Sequence, residues 1–217
     1  MPCTISLRYV TSAVEKTSNE QVEIAVTDEQ ALITALKQRD PTALAAVFET
    51  YADRIYRLGM NLLHDEQHAD CVVQDTFLAL IEHIDQFEGR SSLGTWLYRV
   101  GYNHCLNQLR KVKPSLELDS LDEPDMMPVN FNPWPAPEEM IFTNEITSEL
   151  ERAIATLSPA LRAVFVMRDI EELSTSETAG VLGISESAVK VRLHRARLLL
   201  REWLAPYFGE QFEQTGV

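Results

Sequence analysis

Residues 113–137 read KPSLELDSLDEPDMMPVNFNPWPAP, with six prolines and five acidic residues. Proline has no amide hydrogen for a helix or sheet ladder and its ring fixes φ, so that density bars regular structure across the stretch. The stretch reads as a linker. It divides the 217-residue chain into two segments, each able to bury only a modest core.

On both sides of the linker, apolar residues recur at spacings of three and four, the signature of a helix face. A first pattern starts near Thr27, with Thr27 or Asp28 as N-cap, and stops at Asp40-Pro41. The next places Leu44, Val47, Phe48, Tyr51, Ile55 and Leu58 on one face. Val72, Val73, Phe77, Leu80, Ile81 and Ile84 form a third face, and the two-glycine segment FEGRSSLG reads as a loop before a helix from Leu93 to Lys111. Beyond the linker, helix resumes near Pro137-Glu138-Glu139 and stops before Ser158-Pro159, where Pro159 suits a new first turn. The expected fold is all-α: an N-terminal helical bundle (29–112) and a C-terminal helix-turn-helix domain (138–208) joined by the acidic, Pro-rich linker. An extension (1–28) and a short tail (209–217) flank them.

Three scattered cysteines, Cys3, Cys71 and Cys105, with no C-x-x-C pair, read as reduced thiols. No run approaches the roughly 20 apolar residues of a membrane span, and the N-terminus lacks a secretory pattern. On these features the expected location is the cytoplasm, with no membrane insertion of its own.

The net charge of −14 is unevenly spread. Residues 112–150 carry one lysine against nine acids, whereas 188–201 (AVKVRLHRARLLLR) carry five basic residues and no acid. Steering acts through local potential within a Debye length, so a net negative chain with one basic stripe can still bind DNA. The acidic remainder would suppress indiscriminate sticking.

That stripe has a defined setting. Ser174-Thr175-Ser176-Glu177 is an S-x-x-E capping box opening a short helix in which Ala179 and Leu182 face inward. Gly183-Ile184 supplies a tight turn and Ser185 can cap a second helix. A short helix, a glycine turn and a longer basic helix make up a helix-turn-helix. At about 100° per residue, Val189, Leu193, Ala196 and Leu200 share a packing side, while Lys190, His194, Arg197 and Arg201 form a stripe about a quarter-turn away. Ser187, Val191 and Arg195 flank the stripe. Such a helix can offer cations to phosphates and side chains to base edges. The competing reading is a solvated amphipathic face, with Arg197 and Arg201 as helix C-terminal charges complementing the dipole.

In the N-terminal half, Trp96, Arg99, Asn103, Asn107 and Arg110 share a helix face. An aromatic, amides and cations on one surface suit single-stranded DNA through stacking, edge hydrogen bonds and phosphate contacts. Equally, Trp96 could be core and the arginines plain surface.

The runs ADCVVQDTFL (Ala69–Leu78), FEGRSSLGTWLYRVGYN and LSPALRAVFVMRDIEELSTSETAGVLGISESAVKVRLHRAR together resemble regions two and four of extracytoplasmic-function (group IV) sigma factors. The resemblance spans about residues 30–112 and 138–205. It implies an alternative sigma factor that binds core RNA polymerase, recognises a bipartite promoter and initiates transcription of a regulon under an anti-sigma factor, with no covalent chemistry and no cofactor.

In that family the segment matching Asp70, Gln74, Asp75 and Phe77 docks on the clamp helices of the largest polymerase subunit, and the flap is a second contact. The loop and helix carrying Phe87, Arg90, Trp96, Arg99, Asn103, Arg110 and Lys111 would open the minus-ten element and hold a flipped base as single strand. The helix carrying Ser187, Lys190, Val191, His194 and Arg195, with Arg168 near the backbone, would read the minus-thirty-five element as duplex. The linker would thread toward the RNA exit channel, its acids mimicking nucleic acid.

This sequence departs from the pattern at Cys71, where an acid is common, and at Ala188, where Thr is usual. Few basic residues follow Arg110 (Lys111 and Lys113), and the N-terminal extension is longer than the family needs.

Other constellations are weaker. His64, His68 and Cys71 fall at i, i+4 and i+7 without a fourth metal ligand, so no metal is expected. Met126, Met127 and Trp134 could anchor a partner. No phosphate loop, nucleophile elbow or H-E-x-x-H occurs, and an enzyme is not expected. Two rivals remain: a stand-alone helix-turn-helix regulator that binds duplex without polymerase, and a sigma-like decoy that occupies a regulator and leaves promoters alone.

Overall fold

The computed structural model describes residues 29–112 and 144–212. The extension with its Thr27/Asp28 cap, the linker with Lys113, Met126, Met127 and Trp134, the helix start near Pro137 and the last five residues lie outside the described residues.

Among the described residues the chain is helical throughout: α1 Glu29–Lys37, α2 Pro41–Leu63, α3 Glu66–His83, α4 Leu93–Val112, α5 Asn144–Thr156, α6 Pro159–Phe165, α7 Thr175–Leu182 and α8 Glu186–Phe212. A 3-10 turn (Ile84–Gln86) follows α3, and one π turn (Val166–Ile170) extends α6. The all-α expectation holds for these residues. Helix α8 runs to Phe212, past the expected end at 208.

Local chemistry sets the helix ends. Asp40 caps α2 by accepting from the Thr42 amide, with Pro41 in the first turn. Asp65 caps α3 through the His68 amide. Pro159 opens α6 as its sequence suggests. Helix α4 begins under a cap the sequence conceals, because the Leu93 amide donates to Glu29 Oε1 at 2.5 Å from 64 positions upstream. Ser92 Oγ accepts from the Thr95 amide beside it. Gly94, read as loop, is the second residue of this helix. A Cβ there would stand 2.8 Å from the Tyr51 hydroxyl, so the glycine lets α2 and α4 meet.

Helices α2, α3 and α4 pack on one another around Ile55, Leu58, Val72, Leu80, Leu93 and Leu97, all buried. In the C-terminal half, α8 lies across α5, α6 and α7. The two halves share apolar packing: Ala163, Val166, Met167, Leu173 and Val181 belong to the same cluster as the α2–α4 core.

Candidate nucleic-acid and polymerase interface

The helix-turn-helix forms as its sequence dictates. Ser174 Oγ accepts from the Glu177 amide and Glu177 returns the bond to the Ser174 amide, closing the capping box. Those bonds, with help from Thr95 and Arg168, hold the Glu177 carboxyl below its usual range. Gly183 ends α7 at φ 69°, the left-handed conformation in which a side chain is strained. Ser185 Oγ then accepts from the Ala188 amide and caps α8.

On α8, Val189, Leu193, Ala196 and Leu200 are buried, as the periodicity requires. Ser187, Lys190 and Val191 are exposed on the first two turns, with His194 and Arg195 half-buried behind them. Arg197 is not a free member of the basic stripe. Its guanidinium forms a two-pronged ion pair with Asp169, at 2.6 and 2.8 Å, which also raises its pKa. Nor do Arg197 and Arg201 complement a helix C-terminus, since α8 continues to Phe212. Arg168 is half-buried and donates to the Leu173 carbonyl, bracing the turn ahead of α7. Arg192 is buried, which the charge pattern did not foretell.

On α4, Arg99, Asn103, Asn107, Arg110 and Lys111 are exposed along one side. Trp96 is half-buried against the core, its ring edge-on to Phe87 at 6.0 Å between centroids. Phe87 itself is 7% exposed and belongs to the core. Arg90 projects from the loop and pairs with Glu88. The exposed strip therefore carries cations and amides, with Trp96 at its edge.

On α3, Asp70 is exposed, and Gln74 and Asp75 are half-buried. Asp75 lies 3.5 Å from His104 Nδ1 on α4. Phe77 is 7% exposed and stacks obliquely on Phe48, so it supports the helix from within. Its neighbours Leu78 and Ile81 stand out at 56% and 41% exposure. Sequence reasoning assigned Ile81 to the apolar face and gave Leu78 no role. An unneeded leucine outside the i, i+3, i+4 stripe was the available signal.

The three-residue metal notion does not survive the geometry. His64 is the C-cap of α2 at φ 54° and belongs to no helix shared with His68 and Cys71. His68 Nδ1 faces Asp65 at 2.9 Å, whereas His64 Nε2 faces Arg162 at 2.6 Å. Among the described residues no cluster of three or more such side chains could hold a metal. Cys105 is buried and its thiol is pushed up to about 12 by that burial.

The Sigma-70 region 2 family model matches residues 47–114 and the Sigma-70 region 4 model matches 147–200, together more than half of the chain. The ECF RNA polymerase sigma factor SigW of Bacillus subtilis is 31% identical over 176 residues, covering 79% of this chain and 94% of that protein. The chain belongs to the extracytoplasmic-function RNA polymerase sigma factors.

A second such sigma factor, SigE of Mycolicibacterium smegmatis, is 31% identical over 161 residues, covering 74% of this chain and 61% of that longer protein. Two solved structures share the fold. CnrH, in complex with the cytosolic domain of CnrY, superposes with a TM-score of 0.58 at 22% identity, covering 82% of this chain and 97% of that one. The sigma factor RpoE of Bartonella quintana, in complex with the anti-sigma factor NepR, gives 0.55 at 23% identity, covering 72% and 93%. In this sigma factor the region 2 match runs from within α2 through α4, and the region 4 match from within α5 to the middle of α8. No described helix is long and apolar enough to cross a membrane.

Proposed function

We propose that the three exposed surfaces divide the work of promoter-specific initiation. Helix α3 meets polymerase through Asp70, Gln74 and Asp75, with Leu78 and Ile81 as apolar anchors. Two large exposed aliphatics beside acidic side chains fit a helical partner surface of mixed character. Helix α4 receives the minus-ten element as single strand through Arg99 and Asn103. Arg110 and Lys111 meet phosphates and Trp96 closes the edge of the strip. Helix α8 enters the major groove of the minus-thirty-five element, with Lys190, Val191 and Ser187 at base edges and His194 and Arg195 behind them. Arg168 braces the turn, and Phe77 and Phe87 act from the core.

The observation that carries this reading is the exposed Ser187–Lys190–Val191 patch at the start of a capped, glycine-turned second helix. A solvated amphipathic face would not need the capping box and turn that aim that patch.

An anti-sigma factor is proposed as a regulator because relatives in fold are seen with one or with a cytosolic partner domain. The division into a 29–112 unit and a 138–208 unit, a flap contact and a cytoplasmic site of action complete the proposal. Melting draws on binding energy and capture of an unstacked base, with no covalent step.

The experiment is thymine reactivity mapping on a promoter fragment bound by core polymerase plus the chain. Reactive thymines confined to the downstream block, and lost in Asn103→Ala, are expected. Protection of duplex by the chain alone, without opening, would favour a stand-alone regulator.

A further inference from the structure

Helix α1 and the turn after it reach across to the segment between α3 and α4 at three points. Lys37 Nζ donates to the Phe87 carbonyl at 2.9 Å. The Arg39 guanidinium donates to the Ile81 carbonyl near the end of α3 and pairs with Asp85 at 2.6 Å. Glu29 Oε1 accepts from the Leu93 amide at 2.5 Å, where the segment ends and α4 begins. Leu32, Ile33 and Leu36 bury one side of α1 in the N-terminal core, so these groups stand on a fixed base.

Between the outer anchors the chain is exposed from Glu88 to Ser92. Gly89 turns it at φ 70°, and a Cβ there would meet nothing within 4 Å. A stretch of that kind keeps its shape only as well as its ends are held, because ordering each residue costs backbone entropy. Here the ends are held by one rigid spacer. Glu29 and Lys37 are the first and last residues of α1, about 12 Å apart along its axis.

The anchoring carries through to the exposed strip of α4. Phe87, whose carbonyl Lys37 holds, sits edge-on to Trp96 at 6.0 Å between centroids. Leu93, whose amide Glu29 holds, opens the helix that carries Arg99 and Asn103.

We propose that α1 presets the loop between α3 and α4 for capture of an unstacked base from the minus-ten element, with Glu29, Lys37 and Arg39 as positioning residues that act through the loop. The proposal rests on the reading of α4 as the minus-ten surface. A loop ordered before the base arrives diverts none of the binding energy to its own ordering, so the fraction of chains in the competent shape sets the apparent affinity for the open strand. Losing a charge-assisted bond at one end of the loop should lower that fraction about tenfold. Selection of the upstream element by α8 does not pass through these three contacts, so it should not change.

The test uses full-length Lys37→Met and Glu29→Ala beside Lys37→Arg and Glu29→Gln, which keep a donor and an acceptor at the same points. Lys37 and Glu29 are exposed, so trimming them spares the core. Hydrogen exchange on the free chains reports the loop itself. The amides of Phe87, Leu93 and Thr95, each hydrogen-bonded in the fold, should exchange about tenfold faster in Lys37→Met and Glu29→Ala. The conservative pair should exchange at nearly the wild-type rate. Core polymerase with each chain on a library of promoter fragments then reports the promoter. Lys37→Met and Glu29→Ala should relax selection of the downstream block and need about tenfold more chain for thymine reactivity there. The upstream block should still be selected, and Lys37→Arg and Glu29→Gln should behave as wild type. Unchanged exchange, loss of selection at both blocks alike, or no loss at either would overturn the positioning role. Faster loop exchange in the variants, with no downstream opening by wild type, would instead overturn the minus-ten reading and uphold the anchoring of the loop by α1.

Discussion

The Tyr98 hydroxyl donates to Glu171 Oε2 at 2.6 Å, tying α4 to the turn that precedes the helix-turn-helix. Burial, and then the hydrogen bond and charge of Glu171, push the phenol well above its usual range, so it stays a donor at any working pH. Tyr98→Phe leaves the ring in place and removes one bond from a fully buried carboxylate. It should cost about 1–3 kcal/mol in urea unfolding. A loss below a few tenths would mean that Arg54 and Arg57 alone satisfy Glu171.

Ser174→Ala removes the acceptor for the Glu177 amide and half of the capping box. About 1 kcal/mol of stability should go, read by the same unfolding experiment. Glu177 has a depressed carboxyl pKa, so its contribution is present above the ordinary value of 4.5 and lost as pH falls through the folded value. Glu177→Gln should therefore flatten the acid limb of the stability curve.

His64 also has a lowered folded pKa, here because the fold favours its neutral form. Burial, and then the Arg162 guanidinium, hold its pKa below 6.5, since Arg162 donates only to the neutral ring. A base with a lowered folded pKa binds fewer protons when folded, so its contribution is present above pH 6.5 and lost as pH falls through that value. Stability should decline as pH falls below the ordinary value of about 6.5 and level off only below the lowered folded value. The decline should be shallower in His64→Asn, which tolerates the left-handed φ of 54° without titrating. An identical pH slope in the variant would contradict the contact.

At Gly183 a Cβ would meet nothing within 4 Å, so only the backbone at φ 69° opposes a side chain. Gly183→Asn should be milder than Gly183→Val, and the valine variant should lose about 1–2 kcal/mol in thermal or urea unfolding. Equal costs for the two would point to a steric clash in place of backbone strain.

Much of this was legible in the sequence, where local rules act. The capping box at Ser174, the turn at Gly183 and the buried row Val189, Leu193, Ala196 and Leu200 each depend on residues a few positions apart. What stayed hidden depends on distant partners. Nothing near Glu171 in sequence announces that Arg54, Arg57 and Tyr98 will surround it, and nothing near Leu93 announces its cap from Glu29. Arg197 reads as a DNA-facing cation until Asp169 claims it. Periodicity puts Phe77 on the apolar face, and there it is buried. The surface roles given to Phe77 and Phe87 come from the resemblance, whereas both side chains lie in the core, and of that apolar face Ile81 stands out at 41% exposure. His64 looked aligned with His68 and Cys71 because the break between α2 and α3 falls between them.

The most direct measurement is run-off transcription by core polymerase and the full-length chain on a library of promoter fragments, with sequencing of the templates used. Transcripts that require the chain, from templates sharing two short blocks, are expected. Lys190→Ala should relax the upstream block and Asn103→Ala the downstream block. A chain that binds core polymerase but selects no template, or whose Lys190 and Asn103 variants select the same templates as wild type, would contradict the assignment of α8 and α4 to the two elements.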